Sequence, residues 1–114
     1  IPDWALLYFG SSQYSWKGIK PYTNKFYYAK NSDGTFAYAV NLKYADDIIK
    51  SIEQKNSPID WHYRVDIQDK FEKKCFCFYP NMVIADTNDS DIRGSRDLHE
   101  HAKVLKWDVK DYVL

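Results

Sequence analysis

The sequence predicts an α/β chain, a mixed sheet with flanking helices, forming a single domain or part of one over residues 1–114. Two observations carry that prediction. Short aromatic and β-branched runs alternate with stretches of helical period, as where Thr35–Val40 gives way at Asn41 to the amphipathic Leu42–Lys55. Lys74–Tyr79 (KCFCFY) is apolar on both faces, as an interior strand must be.

Taken in order, Trp4–Phe9 (WALLYF) is an apolar run stopped by Gly10, which suits a buried strand. Ser11–Asn24 has loop chemistry, with isolated Tyr14, Trp16 and Tyr22. Phe26–Ala29 reads as a short strand. Asn31-Ser32-Asp33-Gly34 reads as a turn whose glycine can take positive φ. Thr35–Val40 is the next strand, and Asn41 is a good N-cap for a helix with Ala45, Ile48, Ile49 and Ile52 at helical spacing. Ser57-Pro58 opens a second helix, where Asp60 completes a capping-box-like pattern. Trp61, Val65 and Gln68 are expected along one side of it, with Trp61 in the core and His62 partly exposed. In the strand after it, Cys75 and Cys77 share one face with Tyr79, and Phe76 and Phe78 take the other. Pro80-Asn81 breaks the strand, and Met82–Ala85 is expected to be one more. Asp86–Arg96 is polar apart from Ile92 and Gly94, and Leu98–Leu114 has helical spacing at Leu98, Ala102, Leu105 and Val109.

Sixteen basic and sixteen acidic residues cancel, so no global field draws the chain to nucleic acid or an anionic membrane. A single-strand nucleic-acid binder would need a basic groove, and the neutral balance argues against one. Ten Tyr and four Trp belong to an aromatic content of 18%. Such an excess fits either core and rim packing or a surface that stacks sugars. Cys75 and Cys77 stand too close along the chain for an easy disulfide, which suggests either a reducing, cytoplasmic compartment or buried structural thiols. No apolar run reaches membrane-spanning length. Opening on Ile1-Pro2-Asp3-Trp4 without an initiator Met, the chain is expected to be cut from a longer protein.

Four segments resemble glycosyltransferase family 25, which includes lipopolysaccharide sugar transferases and the procollagen galactosyltransferases. Asp3–Gly10 (DWALLYFG) is similar to the family's WD-x-apolar-x-(Y/L)LG strand, with Trp and Asp exchanged. Gly34–Val40 (GTFAYAV) resembles its GT-x-(A/G)Y-x-(I/V) strand, and Ser57-Pro58-Ile59-Asp60 its P-(V/I)-D helix start. Tyr79-Pro80-Asn81 followed by Asp89-Ser90-Asp91-Ile92 resembles its YP…SDI closing segment. They run in family order over residues 3–96.

The resemblance implies the C-terminal, acceptor-side half of a GT-A nucleotide-sugar fold. It implies transfer of a sugar from a UDP-sugar to a hydroxyl on a glycan or protein side chain, with a divalent metal, usually manganese. The acidic metal motif and most of the nucleotide-binding half would lie upstream, so this half alone is expected to be inactive and to need the rest of its domain. Asp89-Ser90-Asp91 has DxD spelling but stands too late to be that motif.

Within that frame Asp60 is the candidate catalytic base, since sugar transfer to a hydroxyl needs a carboxylate to take its proton. As an early helical residue it can equally serve as a cap, and a helix N-terminus tends to depress a carboxylate pKa. Gly34, Thr35 and Tyr38 are candidates for donor-sugar contact, because glycine permits close backbone approach. Asp89, Asp91, Arg93 and Arg96 form a loop able to close over the pyrophosphate, the arginines giving bidentate contacts. Trp16 is a candidate for stacking on a sugar ring, with Tyr14 and Tyr22 beside it in sequence. His99-x-His101 invites a metal reading, but two residues apart on a helix cannot share an ion, which leaves His99 as the candidate. A carbohydrate-binding module without metal or nucleotide would use the same aromatics and is the alternative.

Overall fold

The computed structural model describes residues 3–53, 58–85 and 98–107, without the side chains of Asp60, Leu98, His99 and His101. Four strands form one mixed sheet in the order β2-β4-β1-β3. They are β1 (Leu6–Ser12), β2 (Phe26–Tyr28), β3 (Asp33–Val40) and β4 (Cys75–Phe78). The inner pair β1 and β4 is parallel, and each outer strand runs antiparallel to its neighbour. The predicted α/β class with a mixed sheet is what forms.

β1 does not stop at Gly10 as expected but continues to Ser12, through two register shifts against β3. These bulges let Gly10 face Ala37, after Tyr8 has faced Tyr38. The strand of residues 35–40 begins earlier, at Asp33, and Gly34 has φ +97° inside the strand, not in a separate turn. β3 forms one edge of the sheet.

After β3, the Asn41 side chain accepts a hydrogen bond from the Lys43 amide and donates one to the Trp4 carbonyl, both close to 3 Å. A single 3-10 turn (Leu42–Tyr44) then leads into α1 (Ala45–Glu53). Ile48 is buried there, whereas Ile49 is 48% exposed, so the apolar stripe is narrower than its spacing predicts.

The second helix departs further from expectation. α2 (Ile59–His62) runs without a break into a π-helical stretch (Tyr63–Ile67) and a last turn, α3 (Gln68–Lys70). The residues buried are His62, Tyr63, Ile67 and Gln68, while Trp61 is 41% exposed and Val65 also faces out. Steps of five, from His62 to Ile67 and from Tyr63 to Gln68, are those of a π-turn, which rotates the buried face away from the stripe a 3.6-residue period sets. Gln68 alone of the three expected inward residues is buried, and Trp61 and His62 have exchanged the expected roles.

One face of the sheet carries the main core. Leu6, Tyr8, Tyr27, Cys75 and Cys77 pack there with Tyr44 and Ile48, and with Tyr63, Ile67 and Phe71 from the second helical segment and its end. The other face carries an aromatic run, Phe9 on Phe78 at 5.6 Å between centroids, Phe26 on Phe78 at 4.4 Å, and Tyr28 on Phe76 at 5.2 Å. Cys and Phe thus alternate across β4 as the sequence predicts. Cys75 and Cys77 are free buried thiols.

Met82–Ala85 is not a strand. The Met82 and Val83 amides both donate to the Phe9 carbonyl, and their side chains are exposed, so no ladder forms. α4 (Leu98–Leu105) follows, ending in a left-handed Lys106 and a Trp107 amide bonded back to the Ala102 carbonyl. Ala102, Leu105 and Trp107 make a smaller cluster with Phe36, Ile84 and Ala85. Val109, the last apolar position of the expected tail helix, lies outside the described residues.

Candidate functional site

The carboxyl ends of the parallel pair bring several candidates to one end of the sheet, the position where open α/β sheets hold their ligands. Ser12 pairs with Asp33 there, so Gly34 and Thr35 follow at the same end. Phe78 pairs with Phe26 at that end, and Tyr79, which follows β4, carries Trp16 against its ring at 5.6 Å.

A buried polar network fixes the loops at this end. Gln68 donates through Nε2 to the Tyr8 hydroxyl at 2.9 Å and to the Ser32 carbonyl at 2.8 Å. Its Oε1 accepts from the Ser32 amide at 3.0 Å. The Ser32 hydroxyl donates to Gln13 Oε1, and Gln13 Nε2 donates to the carbonyls of Ser15 at 2.7 Å and Lys30 at 3.1 Å. The loop that carries Trp16, the approach to β3 and the second helical segment are thereby tied together through satisfied groups. Sequence reading missed this network, because Gln13 stands in a segment of loop composition and the partners of Gln68, Tyr8 and Ser32, are far from it in sequence.

Gly34 has a structural requirement. A Cβ there would stand 2.7 Å from the Phe36 ring, in a backbone conformation that side chains rarely adopt. Tyr38 turns toward the helices, its hydroxyl 3.2 Å from that of Tyr63 and its ring tilted on Tyr8. Asp60 is the second residue of α2, which packs against β3, and Arg64 one turn on lies 3.3 Å from Asp33. The region of Asp60 and the start of β3 are therefore neighbours. Asp89, Asp91, Arg93 and Arg96 lie outside the described residues, as do Ser57 and the side chain of His99.

His62, expected partly exposed, is 1% exposed. Its Nδ1 is 2.6 Å from Asp66, one helical turn away, and its Nε2 has no partner. Such a pair inside a helix escapes sequence reading, because the π-turn that buries it has no local signature.

Trp16 is the best-held of the candidates. Its indole meets Tyr27 and Tyr79, donates through Nε1 to the Val104 carbonyl at 3.4 Å, and has the Lys106 ammonium 4.6 Å from its ring centre. Beside it opens a cleft of about 310 Å³ lined by Trp16, Ile19, Pro21, Thr23, Asn24, Phe26, Tyr27 and Tyr79. Tyr14 is exposed, while Tyr22 packs edge-on against Phe76 and Tyr28. A second hollow of about 270 Å³ is strongly charged, with Lys20, Lys30 and Lys73 facing Asp69 and Glu72.

Burial pushes the Cys75 thiol up to about 12 and the Cys77 thiol up to about 11, and it raises the Tyr8 and Tyr27 phenols as well. The thiols are protonated at neutral pH and are poor nucleophiles. In the unfolded chain these groups ionise near their ordinary values of 9.0 and 10.0, so above that range the unfolded state binds fewer protons than the folded one. Stability is therefore present at neutral pH and lost as pH rises, by up to about 1.4 kcal/mol per group per pH unit within its window. Urea midpoints should hold steady from about pH 7 to 8.5 and fall steeply by about pH 10.5. A midpoint that stays level throughout would mean that these groups are not buried in solution.

No family model matches the chain, and no match is found among curated proteins or solved structures. Among the described residues no three His, Cys, Asp or Glu side chains come together as a metal site, so the described part offers no metal shell of its own. No helix among them is long and apolar enough to cross a membrane.

Proposed function

We propose that the chain is the acceptor-side half of a GT-A glycosyltransferase that moves a sugar from a UDP-sugar to a hydroxyl of a glycan or protein side chain. What supports this reading most is that the described parts of the four family-like segments, distant in sequence, adjoin in space. β1 and β3 pair, α2 packs on β3, and Asn81 Nδ2 donates to the Ser11 carbonyl at 2.9 Å. The outer edge of β3 adds support. Among the described residues no strand pairs with it, and after Asp33 it holds neither charge nor proline. Sheet edges are normally guarded by such residues, so a bare edge suits a sheet that continues into the remainder of the domain.

In this reading Asp60 takes the acceptor hydroxyl's proton, and Gly34 and Thr35 lie along the donor sugar. The loop of Asp89, Asp91, Arg93 and Arg96 closes over the pyrophosphate, with Arg93 or Arg96 giving bidentate contacts to its oxygens. A divalent metal would be held by the acidic motif the resemblance implies, with His99 as a late ligand, and would supply charge neutralisation for the diphosphate. The compartment expected is the cytoplasm.

The parent protein is expected to hydrolyse a UDP-sugar slowly when manganese is present and to stop when EDTA is added. Activity indifferent to EDTA, together with no UDP-sugar binding, would remove the transferase reading. The aromatic cleft beside Trp16 would then favour a carbohydrate-binding module.

A further inference from the structure

We infer that the cleft beside Trp16 binds an uncharged saccharide ring, and that in the transferase this ring belongs to the acceptor and not to the nucleotide-sugar donor. Only that assignment of role rests on the transferase reading.

The chemistry of the lining carries the inference. None of its eight residues is charged. A nucleoside diphosphate placed there would lose hydration with no cation among the lining residues, and the Lys106 ammonium beside them is engaged over the Trp16 ring. A neutral ligand loses much less. The floor is aromatic, and the rim brings the Thr23 hydroxyl, the exposed Asn24 amide and the phenol of Tyr79, which is 43% exposed. Thr23 Oγ1 already accepts from the Lys25 amide at 3.1 Å, which leaves its proton to donate outward. A ligand that suits this surface has an apolar ring face bordered by hydroxyls, and a pyranose has both.

Preorganisation supports the same conclusion. Trp16 is fixed by Tyr27, Tyr79, the Val104 carbonyl and Lys106, so a ring that stacks there need not order the indole first. A cavity of about 310 Å³ is at the lower end of ligand clefts and suits one ring, with the rest of a glycan outside. The other hollow has five charged side chains in its lining, Lys20, Lys30, Lys73, Asp69 and Glu72, and a single aromatic ring, that of Tyr28.

The test is a titration of the ¹⁵N-labelled chain with methyl β-galactopyranoside, methyl α-glucopyranoside and cellobiose, with UDP as the charged control, followed at the indole resonance of Trp16. Trp16→Phe identifies that resonance. At least one glycoside is expected to shift it saturably in the millimolar range, and UDP is expected not to. Tyr79→Ala should weaken the binding about tenfold, and Asn24→Ala about threefold. Asn24 is exposed, so its variant serves if Tyr79→Ala proves unstable in thermal unfolding. No saturable shift with any of the three glycosides would overturn the inference. So would equal binding by the wild type and both variants, or displacement of the glycoside by UDP. If glycosides bind while the parent protein neither binds nor cleaves a UDP-sugar, the cleft stands and the transferase reading falls. If the parent protein hydrolyses a UDP-sugar with metal while Trp16 ignores all three glycosides, the transferase reading stands and the cleft assignment falls.

Discussion

Replacing Gly10 by alanine is expected to cost the chain about 3 kcal/mol or more and to lower its Tm by about 10 °C or more. The methyl group would stand 2.0 Å from the Val83 carbonyl oxygen and 2.9 Å from its carbon, both backbone atoms. A side chain can rotate away from such a clash, whereas here the 82–85 segment must move as a whole. Its movement would break the bonds from the Met82 and Val83 amides to the Phe9 carbonyl. It would also withdraw Ile84 and Ala85 from the cluster that seats α4. A domain of this size has on the order of 5–15 kcal/mol to lose. Thermal unfolding followed by circular dichroism measures the effect, and a Tm within about 2 °C of the wild type would mean that Val83 does not lie against Gly10. Gly34→Ala should be milder, because the two closest atoms met there belong to the Phe36 ring, which can turn, although its φ of +97° still strains any side chain.

On the transferase reading proposed above, Asp60→Asn in the parent protein is expected to lower transfer about 10²- to 10⁴-fold while leaving donor affinity and Tm close to wild type. The amide keeps the shape of the carboxyl and can still accept a hydrogen bond from a backbone amide, but it cannot take a proton from the acceptor. A residue that only caps α2 behaves differently, with a stability loss of about 1 kcal/mol or less and undiminished turnover. Single-turnover rates at saturating acceptor, beside a melting curve for each variant, separate the two roles. Unchanged rates with a lowered Tm would leave Asp60 as a cap.

Some of this was legible from local pattern. Cys75 and Cys77 against Phe76 and Phe78 gave the two faces of β4, because a strand alternates its side chains whatever surrounds it. Asn41 was recognisable as a cap, and Gly34 as a residue able to take positive φ, because both roles depend on a few neighbouring backbone groups. The α/β class followed from the alternation of strand and helix periods.

Other features were decided only by contacts between distant parts of the chain. The π-turn in the second helical segment exchanged the expected roles of Trp61 and His62, as the packing of Tyr63 and Ile67 on the sheet replaced the helical stripe. The bulges in β1 carried it past Gly10 and made that glycine indispensable, since the backbone that excludes a side chain there comes from Val83. Met82–Ala85 has a strand's composition but hangs from one carbonyl of β1. Trp16 could be named as a stacking candidate from sequence, yet the cleft it lines also needs Tyr27 from β2 and Tyr79 after β4. Local periodicity reports on the next few residues and determined the elements themselves. Which faces were buried, and which residues were gathered at one end of the sheet, depended on partners far away in sequence, and only the tertiary structure decided them.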